Sequence, residues 1–550
     1  MIKNESVKTQ KHILDRNRTL IKIKDNNQLW DIVIIGGGAT GLGAALDATS
    51  RGYKTLLLEK GDFANGTSSR STKLAHGGVR YLAQGNLSLV NEALYERGLM
   101  LQNAPHLVSM LPFIIPSYKW WERYYYGIGL KIYDWMARRL RLNKTTLIAK
   151  KTVLKLLPNL KPTNLTGGIV YYDGQFDDTR LALSIAQTCY DKGGSLLNYM
   201  QVTDLIKDEQ NKVCGVKTRD IENKKDYEIK AKVVVNATGV FVDDILKLNS
   251  KNKAPLVKLS QGVHLVLDKK FLPGNYALMI PATTDGRVLF AVPWHDHLLV
   301  GTTDTPVEIA EMEPKALKSE IDFILKTLQA YLESKPEHKD ILSVFAGLRP
   351  LVQPSSAKGT KEISRDHKLD ISDSGLITIT GGKWTTYRKM AEDTIDAAIK
   401  TGNLSPASCK TNNLKLHGYT KSSAHTYMDI YGSDKKEILE IAESHPELGE
   451  KLHPDFPQIK AEVIWAVKNE MAINISDILA RRLRILFLNA KIAIELAPEI
   501  GKLMAKELDK DQKWIDEQVN SFVGLAQRYL PSPIQLKKPS NNQAKIKTNI

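Results

Sequence analysis

The sequence predicts an α+β body over residues 30–400 followed by a mainly helical domain over about 405–530. Three observations carry that reading. A strand, glycine turn, helix and strand follow one another in WDIVIIGGGATGLGAALDATSRGYKTLLLEK. Further strand-like runs recur in GGIVYYDGQF, AKVVVNATG, VHLVLD, RVLFAVPW, HLLVGTTD and GLITITGG, with a helical region expected around 88–145. From about 405 onward strands become scarce, and SDILARRLRILFLNAKIAIELAPEIGKLMAKELDK reads as amphipathic helix, with Ser476 or Asp477 as its cap. A chain of 550 residues exceeds one ordinary core, so about two to four domains or subdomains are expected. Residues 1–29 read as a basic N-terminal extension and 531–550 as a basic tail.

Composition narrows the class. With 42% hydrophobic and 25% charged residues the chain is that of an ordinary folded protein. No apolar run reaches the ~18–20 residues of a membrane span, and the N-terminus lacks the apolar core of a signal peptide. Cys189, Cys214 and Cys409 lie far apart, which points to a reducing, cytosolic compartment with no disulfide framework and no metal site. The net charge of +16 is concentrated in 1–29, 118–144 and 536–550, outside the α+β body's motifs. Concentrated basic segments suit an anionic surface, lipid or nucleic acid, and at the two ends serve equally as solubilising tails.

The glycines of the first turn, Gly36, Gly38 and Gly41, follow the strand at 31–35 and open a small-residue helix. That context suits a dinucleotide, because the turn brings a pyrophosphate against free N–H groups at a helix N-terminus. Glu59, at the end of the next strand with Lys60 beside it, is placed to accept from ribose hydroxyls. The turn alone leaves flavin and nicotinamide dinucleotides open. No second such turn follows residue 60, so a flavin here would take its electrons from the substrate itself.

A polar loop, TSSRSTKLAHGGVRYL at 67–82, begins eight residues after that strand-end acid. It resembles the flavin loop of the membrane-associated, FAD-dependent sn-glycerol-3-phosphate dehydrogenases, within the D-amino-acid-oxidase-like flavoproteins. The resemblance continues in YYDGQFDDTRL, NATGVFVDD, SQGVHLVL, VGTTDTP, FAGLRPL, ISRDH and TGGKWTTYRKMAED, and in the C-terminal EMAINISDILARRLRILFLN. It spans residues 30 to about 530. It implies a Rossmann-type FAD-binding domain interleaved with a mainly antiparallel β substrate domain, centred on 255–345. It also implies oxidation of sn-glycerol 3-phosphate to dihydroxyacetone phosphate, electrons passing to membrane quinone.

Within that frame Thr67, Ser68, Ser69, Ser71 and the backbone around Lys73 and Leu74 offer neutral donors to pyrophosphate and flavin edge. His76, Gly77 and Gly78 let the chain pass close to the ring. Ala237, Thr238 and Gly239 resemble a second FAD contact, and Gly381, Gly382, Lys383, Trp384 and Thr385 start a helix aimed at the flavin. A phosphorylated substrate demands several cations. Arg80, Arg349, Arg365 and Lys383 are the candidates, with Tyr81 beside the first. His264 is by type the best base for the alcohol proton, its ordinary pKa being near neutral, with water beside Arg349 as the other acceptor. Thr302 and Thr303 orient substrate or cap a strand end.

The segment YKWWERYYYGIGLKIYDWMARRLRLNK, 118–144, packs three Trp and five Tyr among seven basic side chains. Helical spacing puts Ile128, Ile132, Trp135, Met136 and Leu140 on one face and Lys131, Arg138 and Arg141 on the other. That pattern fits a helix lying in a headgroup region, or else a surface helix packed on its own domain. The expected location is therefore cytoplasmic, at the inner face of the cytoplasmic membrane, with a homodimer left open. An oxidase passing electrons to oxygen is the alternative on the same scaffold. A flavoprotein acting on amino acids would need fewer cations, and an RNA-binding role would call for basic side chains spread with stacking aromatics along a groove; no nucleic-acid partner is expected.

Overall fold

The computed structural model describes residues 14–24, 28–78, 86–250, 254–352, 367–421 and 426–531. One sheet of eight strands is built around a parallel core running Ser195–Leu197, Thr55–Leu58, Leu29–Ile35, Lys225–Asn236 and Ile377–Gly381. His367–Ile371 closes one edge antiparallel, and the hairpin Met200–Lys207/Val213–Asp220 extends Lys225–Asn236 antiparallel. The core strands are aliphatic on both sides because helices cover both faces. Helices Ala39–Arg51, Asp178–Asp191 and Tyr387–Thr401 pack one face through Leu42, Ala45, Ile185, Met390 and Ile395. Helices Arg16–Ile23 and Val242–Asn249 cover the other through Leu20, Ile23, Ile245 and Leu246.

Part of the expected N-terminal extension is thus a structural element. Asp15 caps its helix by accepting from the Asn17 and Arg18 N–H groups, and Arg16 pairs with Asp220 at 2.8 Å.

The second sheet, of ten strands, is antiparallel except where Ala277–Ile280 meets Val108–Ser117. Its spine is the long pairing of Val257–Asp268 with Ile341–Val352. It reaches outside 255–345, taking in Leu74–Ala75, Val108–Ser117, Thr146–Ala149 and Gly167–Phe176. The region read as helical at 88–145 therefore contains a ten-residue strand, VSMLPFIIPS, between helices Leu87–Asn103 and Glu122–Met136. Pro112 and Pro116 mask it in the sequence. They are four residues apart, an even spacing, so both remove donors from the same edge and leave the other edge intact.

Of the C-terminal helices, Lys460–Asn469, Ala490–Leu508 and Gln512–Ala526 pack on the second sheet through Val266, Trp294, Leu299 and Phe345, while Lys435–Ser444 packs on Lys460–Asn469 through Ile438. The connection ARRLR is not the solvent-exposed amphipathic stretch that its charge suggests. Asp477–Arg482 forms a π-helical turn, and Arg481, Arg482 and Arg484 are all buried. Besides Asp477 on the same turn, which receives Arg481 at 2.5 Å, their counter-charges come from distant parts of the chain. Asp62 receives Arg481 at 2.6 Å and both terminal nitrogens of Arg482. Asp178 receives Arg484 at 3.0 Å, and Glu470 receives Arg180 at 2.6 Å. Burial alone would raise the pKa of Asp62, but the two arginines hold it below the usual carboxylate range.

His417 links two carboxylates, donating from Nδ1 to Asp191 at 2.7 Å and from Nε2 to Asp434 at 2.8 Å. Burial opposes its charge, yet the two partners raise its pKa to about 9. A raised histidine stabilises the fold fully below its unfolded pKa, near 6.5, and that contribution disappears as pH rises through about 9. Thermal melts from pH 6 to 9.5 should show His417→Asn destabilised by up to about 3 kcal/mol at the acid end. The wild-type and variant curves should converge above pH 9; parallel curves throughout would refute the assignment.

Candidate active site

A cleft of about 630 Å³ is lined from both sheets. At one end lie the C-terminal edges of the parallel strands, with Gly36, Gly38, Glu59, Ala237 and Thr238. At the other end lie Gly262, His264 and Arg349 of the second sheet. The loop 65–76 runs along one wall and residues 379–385 along another, and they are tied together where Trp384 Nε1 donates to the Ser68 carbonyl at 2.9 Å.

The first end is shaped for a dinucleotide. Gly36 has φ +110°, and a Cβ there would stand 2.6 Å from the Ala237 carbonyl oxygen. The helix Ala39–Arg51 opens on the cleft with Gly38 at its N-cap and no side-chain cap. Its first N–H, of Ala39, is met by Ser68 Oγ at 2.9 Å. The Glu59 carboxylate is held by the Gly37 and Gly61 N–H groups at 2.6 and 2.7 Å, leaving lone pairs for sugar hydroxyls.

At the second end Gly262 allows Arg349 to lie across its strand, since a Cβ would meet the guanidinium at 2.4 Å. Arg349 donates to the Thr303 carbonyl at 3.1 Å and to Thr302 Oγ1 at 3.2 Å, with Asp304 3.6 Å away. His264 is buried, stacked on Phe345 at 4.9 Å, with Nε2 2.9 Å from Thr72 Oγ1. Burial, with Lys73 and Arg349 nearby, drives its pKa well below the ordinary value near neutrality. The ring is therefore neutral in the structure described.

The predicted site residues divide three ways. Gly36, Gly38, Glu59, Lys60, Thr67, Ser68, Ser71, Leu74, His76, Ala237, Thr238, Gly239, His264, Arg349 and the run 381–385 line the cleft. Gly41, Ser69, Lys73, Gly77, Gly78, Thr302 and Thr303 stand behind its wall. Lys73 turns into the protein, where Nζ donates to Asp178 at 2.6 Å and to the Ser69 carbonyl at 2.7 Å, and burial draws its pKa down to about 7 against the pull of Asp178. Thr303 accepts the Val263 N–H and donates to Glu320, so both threonines support Arg349 and the strand end. Arg80, Tyr81 and Arg365 lie outside the described residues. Sequence reasoning passed over Thr72, which lines the cleft, and Met200–Thr203 of the hairpin, which no motif marks. Thr72 was legible as the one hydroxyl between Ser71 and Lys73 in an extended loop.

Comparison with known proteins is specific. Residues 31–388 match the family model for FAD-dependent oxidoreductases, and 374–515 match the C-terminal domain of α-glycerophosphate oxidase. The chain belongs to the FAD-dependent oxidoreductase family, in its glycerol-3-phosphate dehydrogenase branch. Mitochondrial glycerol-3-phosphate dehydrogenase of Mus musculus is 41% identical over 94% of this chain and 75% of its own length. The Schizosaccharomyces pombe protein of the same name is 38% identical over 92% of this chain and 89% of its own. Among solved structures, glycerol-3-phosphate dehydrogenase from Bacillus halodurans, complexed with FAD, superposes with a TM-score of 0.78 at 30% identity, covering 95% of this chain and 99% of that one.

FAD is thus the cofactor of this member, and the residues fit it. Gly36, Gly38 and Ser68 would hold the pyrophosphate, Glu59 the ribose, and 381–385 with His76 the ring end. Gly36→Ala should abolish FAD retention, because the added methyl meets the Ala237 carbonyl and the turn's positive φ is strained. The flavin-to-protein absorbance ratio of the purified variant checks this; a near-stoichiometric ratio would contradict it.

Proposed function

We propose that the chain oxidises sn-glycerol 3-phosphate to dihydroxyacetone phosphate, passing the electrons through FAD to a membrane quinone. The observation that carries the reading is the juxtaposition of a buried His264 with Arg349 and Lys383 along a dinucleotide cleft. The names of the similar proteins supply the substrate class. Bound FAD supplies the two-electron acceptor. The chain's own groups do the rest.

Arg349 offers a guanidinium fork to a phosphate dianion, and its hydrogen bonds to Thr303 and Thr302 hold the fork still. Lys383 stands on the cleft wall just before the turn Trp384–Thr386, adding charge at the ring end. Arg80 and Arg365 complete the proposed cationic set. His264 takes the hydroxyl proton. Arg349 is one of the two cations that depress its proton affinity, so a dianion seated on Arg349 offsets that effect as substrate arrives.

The quinone acceptor rests on helix Glu122–Met136. Its outer face carries Tyr125, Ile128, Ile132 and Trp135, exposed by 62, 63, 45 and 78%, with Trp120 and Trp121 just before it. Lys131, Arg138 and Arg139 are exposed around this stripe. Met136, expected on the apolar face, is buried instead, and Leu140 packs toward Gly98. Exposed aromatics ringed by cations suit the headgroup layer of an anionic bilayer. No helix among the described residues is long and apolar enough to cross a membrane. Peripheral attachment at the inner face of the cytoplasmic membrane follows from this reading.

Anaerobic mixing with glycerol 3-phosphate should bleach the flavin absorbance, and an unchanged spectrum would overturn the proposal. Arg349→Ala should lower kcat/KM for the phosphorylated substrate by about 10- to 100-fold, the loss of a charged hydrogen-bonding partner. Replacing both Ile132 and Trp135 by Glu should weaken sedimentation with anionic vesicles by about tenfold or more while leaving anaerobic bleaching intact. Peroxide yield equal to substrate consumed, with or without quinone, would favour the oxidase instead.

A further inference from the structure

The loop beside His264 has an alternation that the family motifs do not explain. Ser71 Oγ and Lys73 Nζ both donate to Asp178 Oδ2, at 2.7 and 2.6 Å, and the Ser71 N–H also donates to it at 3.1 Å. Asp178 is in turn held by Arg484 from the helical domain. The polar ends of residues 71 and 73 are thus both fastened to Asp178, although Ser71 also borders the cleft. Thr72, between them, lines the cleft and places Oγ1 2.9 Å from His264 Nε2.

The imidazole borders the cleft and is confined on two further sides. Phe345 stacks on it at 4.9 Å and 16°. Gly301 lies against the ring edge, where a Cβ would come within 2.2 Å of Cδ2. Nδ1 is buried and has no hydrogen-bond partner among the described residues. The contact to Thr72 is therefore the ring's one hydrogen bond among those residues. Charged groups face it from two sides, Lys73 with its partner Asp178 and Arg349 with its neighbour Asp304. A neutral ring carries one proton on two nitrogens, and the hydrogen bond each nitrogen makes decides which holds it.

We propose that Thr72 is a positioning residue for the oxidation step, its hydroxyl fixing the rotation and tautomer of His264 so that one ring nitrogen stays available as proton acceptor. This rests on the reading of His264 as the base. The hydroxyl is what matters, so Ser is equivalent and the isosteric Val is not.

Thr72→Val and Thr72→Ser are compared with wild type by anaerobic flavin reduction from pH 6 to 9. Thr72→Val should reduce the limiting rate by about 10-fold or more, consistent with loss of one hydrogen bond. Its KM for glycerol 3-phosphate should stay within about threefold, and its pH profile should move. Thr72→Ser should restore rate and profile to within about threefold of wild type. Spectra of [15N]histidine-labelled protein, with His264 assigned by its absence in His264→Asn, should show a single tautomer in wild type and a mixture in Thr72→Val. A Thr72→Val enzyme with wild-type rate and profile would overturn the inference. So would a Thr72→Ser enzyme as slow as the Val variant, which would assign the effect to packing. A wild-type flavin that glycerol 3-phosphate fails to reduce would instead remove the functional reading beneath it.

Discussion

The molecule depends on charges buried between its two sheets and its helical domain. Asp62, just after the second parallel strand, and Asp178, at the start of a helix on that sheet, are fully buried acids. Each is neutralised from ARRLR in the C-terminal domain. A buried ion pair adds little net stability over an apolar pair, but removing one partner strands the other at a cost of about 3–5 kcal/mol. The arrangement therefore specifies one way of docking three parts of the chain. Because Asp178 also fastens Ser71 and Lys73, the docking of the helical domain sets the shape of the cofactor loop.

That dependence explains what was legible in the sequence. The first βαβ unit could be read directly, since local glycine geometry and apolar strands declare it without help from elsewhere. The cleft residues His264 and Arg349 could be chosen by type and motif context. The burial of Arg481, Arg482 and Arg484 could not, because an arginine-rich run looks solvated until Asp62 and Asp178, about 300 to 420 positions away, are known as partners. Strand Val108–Ser117 was hidden for a related reason. Its pairing with Gly167–Phe176 is long-range, and the prolines that argue against a strand locally are tolerated along one edge. Thr302 and Thr303, read from the sequence as orienting substrate or capping a strand end, turn their hydroxyls to Arg349 and Glu320, a distinction that needs geometry.

The proposed chemistry would place two opposing electrostatic demands on the cleft. A dianionic substrate calls for positive charge, and positive charge makes a neighbouring imidazole a poorer base. The structure keeps Lys73 behind the wall, neutralised by Asp178, and leaves Arg349 on the cleft. On the proposed reading, the cation that a dianionic substrate would compensate is the one left on the cleft.

Helix Glu122–Met136 has a second face. While Trp135 and Ile128 look outward, Tyr133 is buried and accepts the Gly77 N–H at 2.7 Å, its own hydroxyl donating to Asp173. Gly77 follows His76 on the cleft. The outer surface and the cofactor loop are therefore separated by the thickness of a single helix, about 10 Å. On the proposed reading, an electron acceptor delivered on that stripe would have one layer of protein to cross.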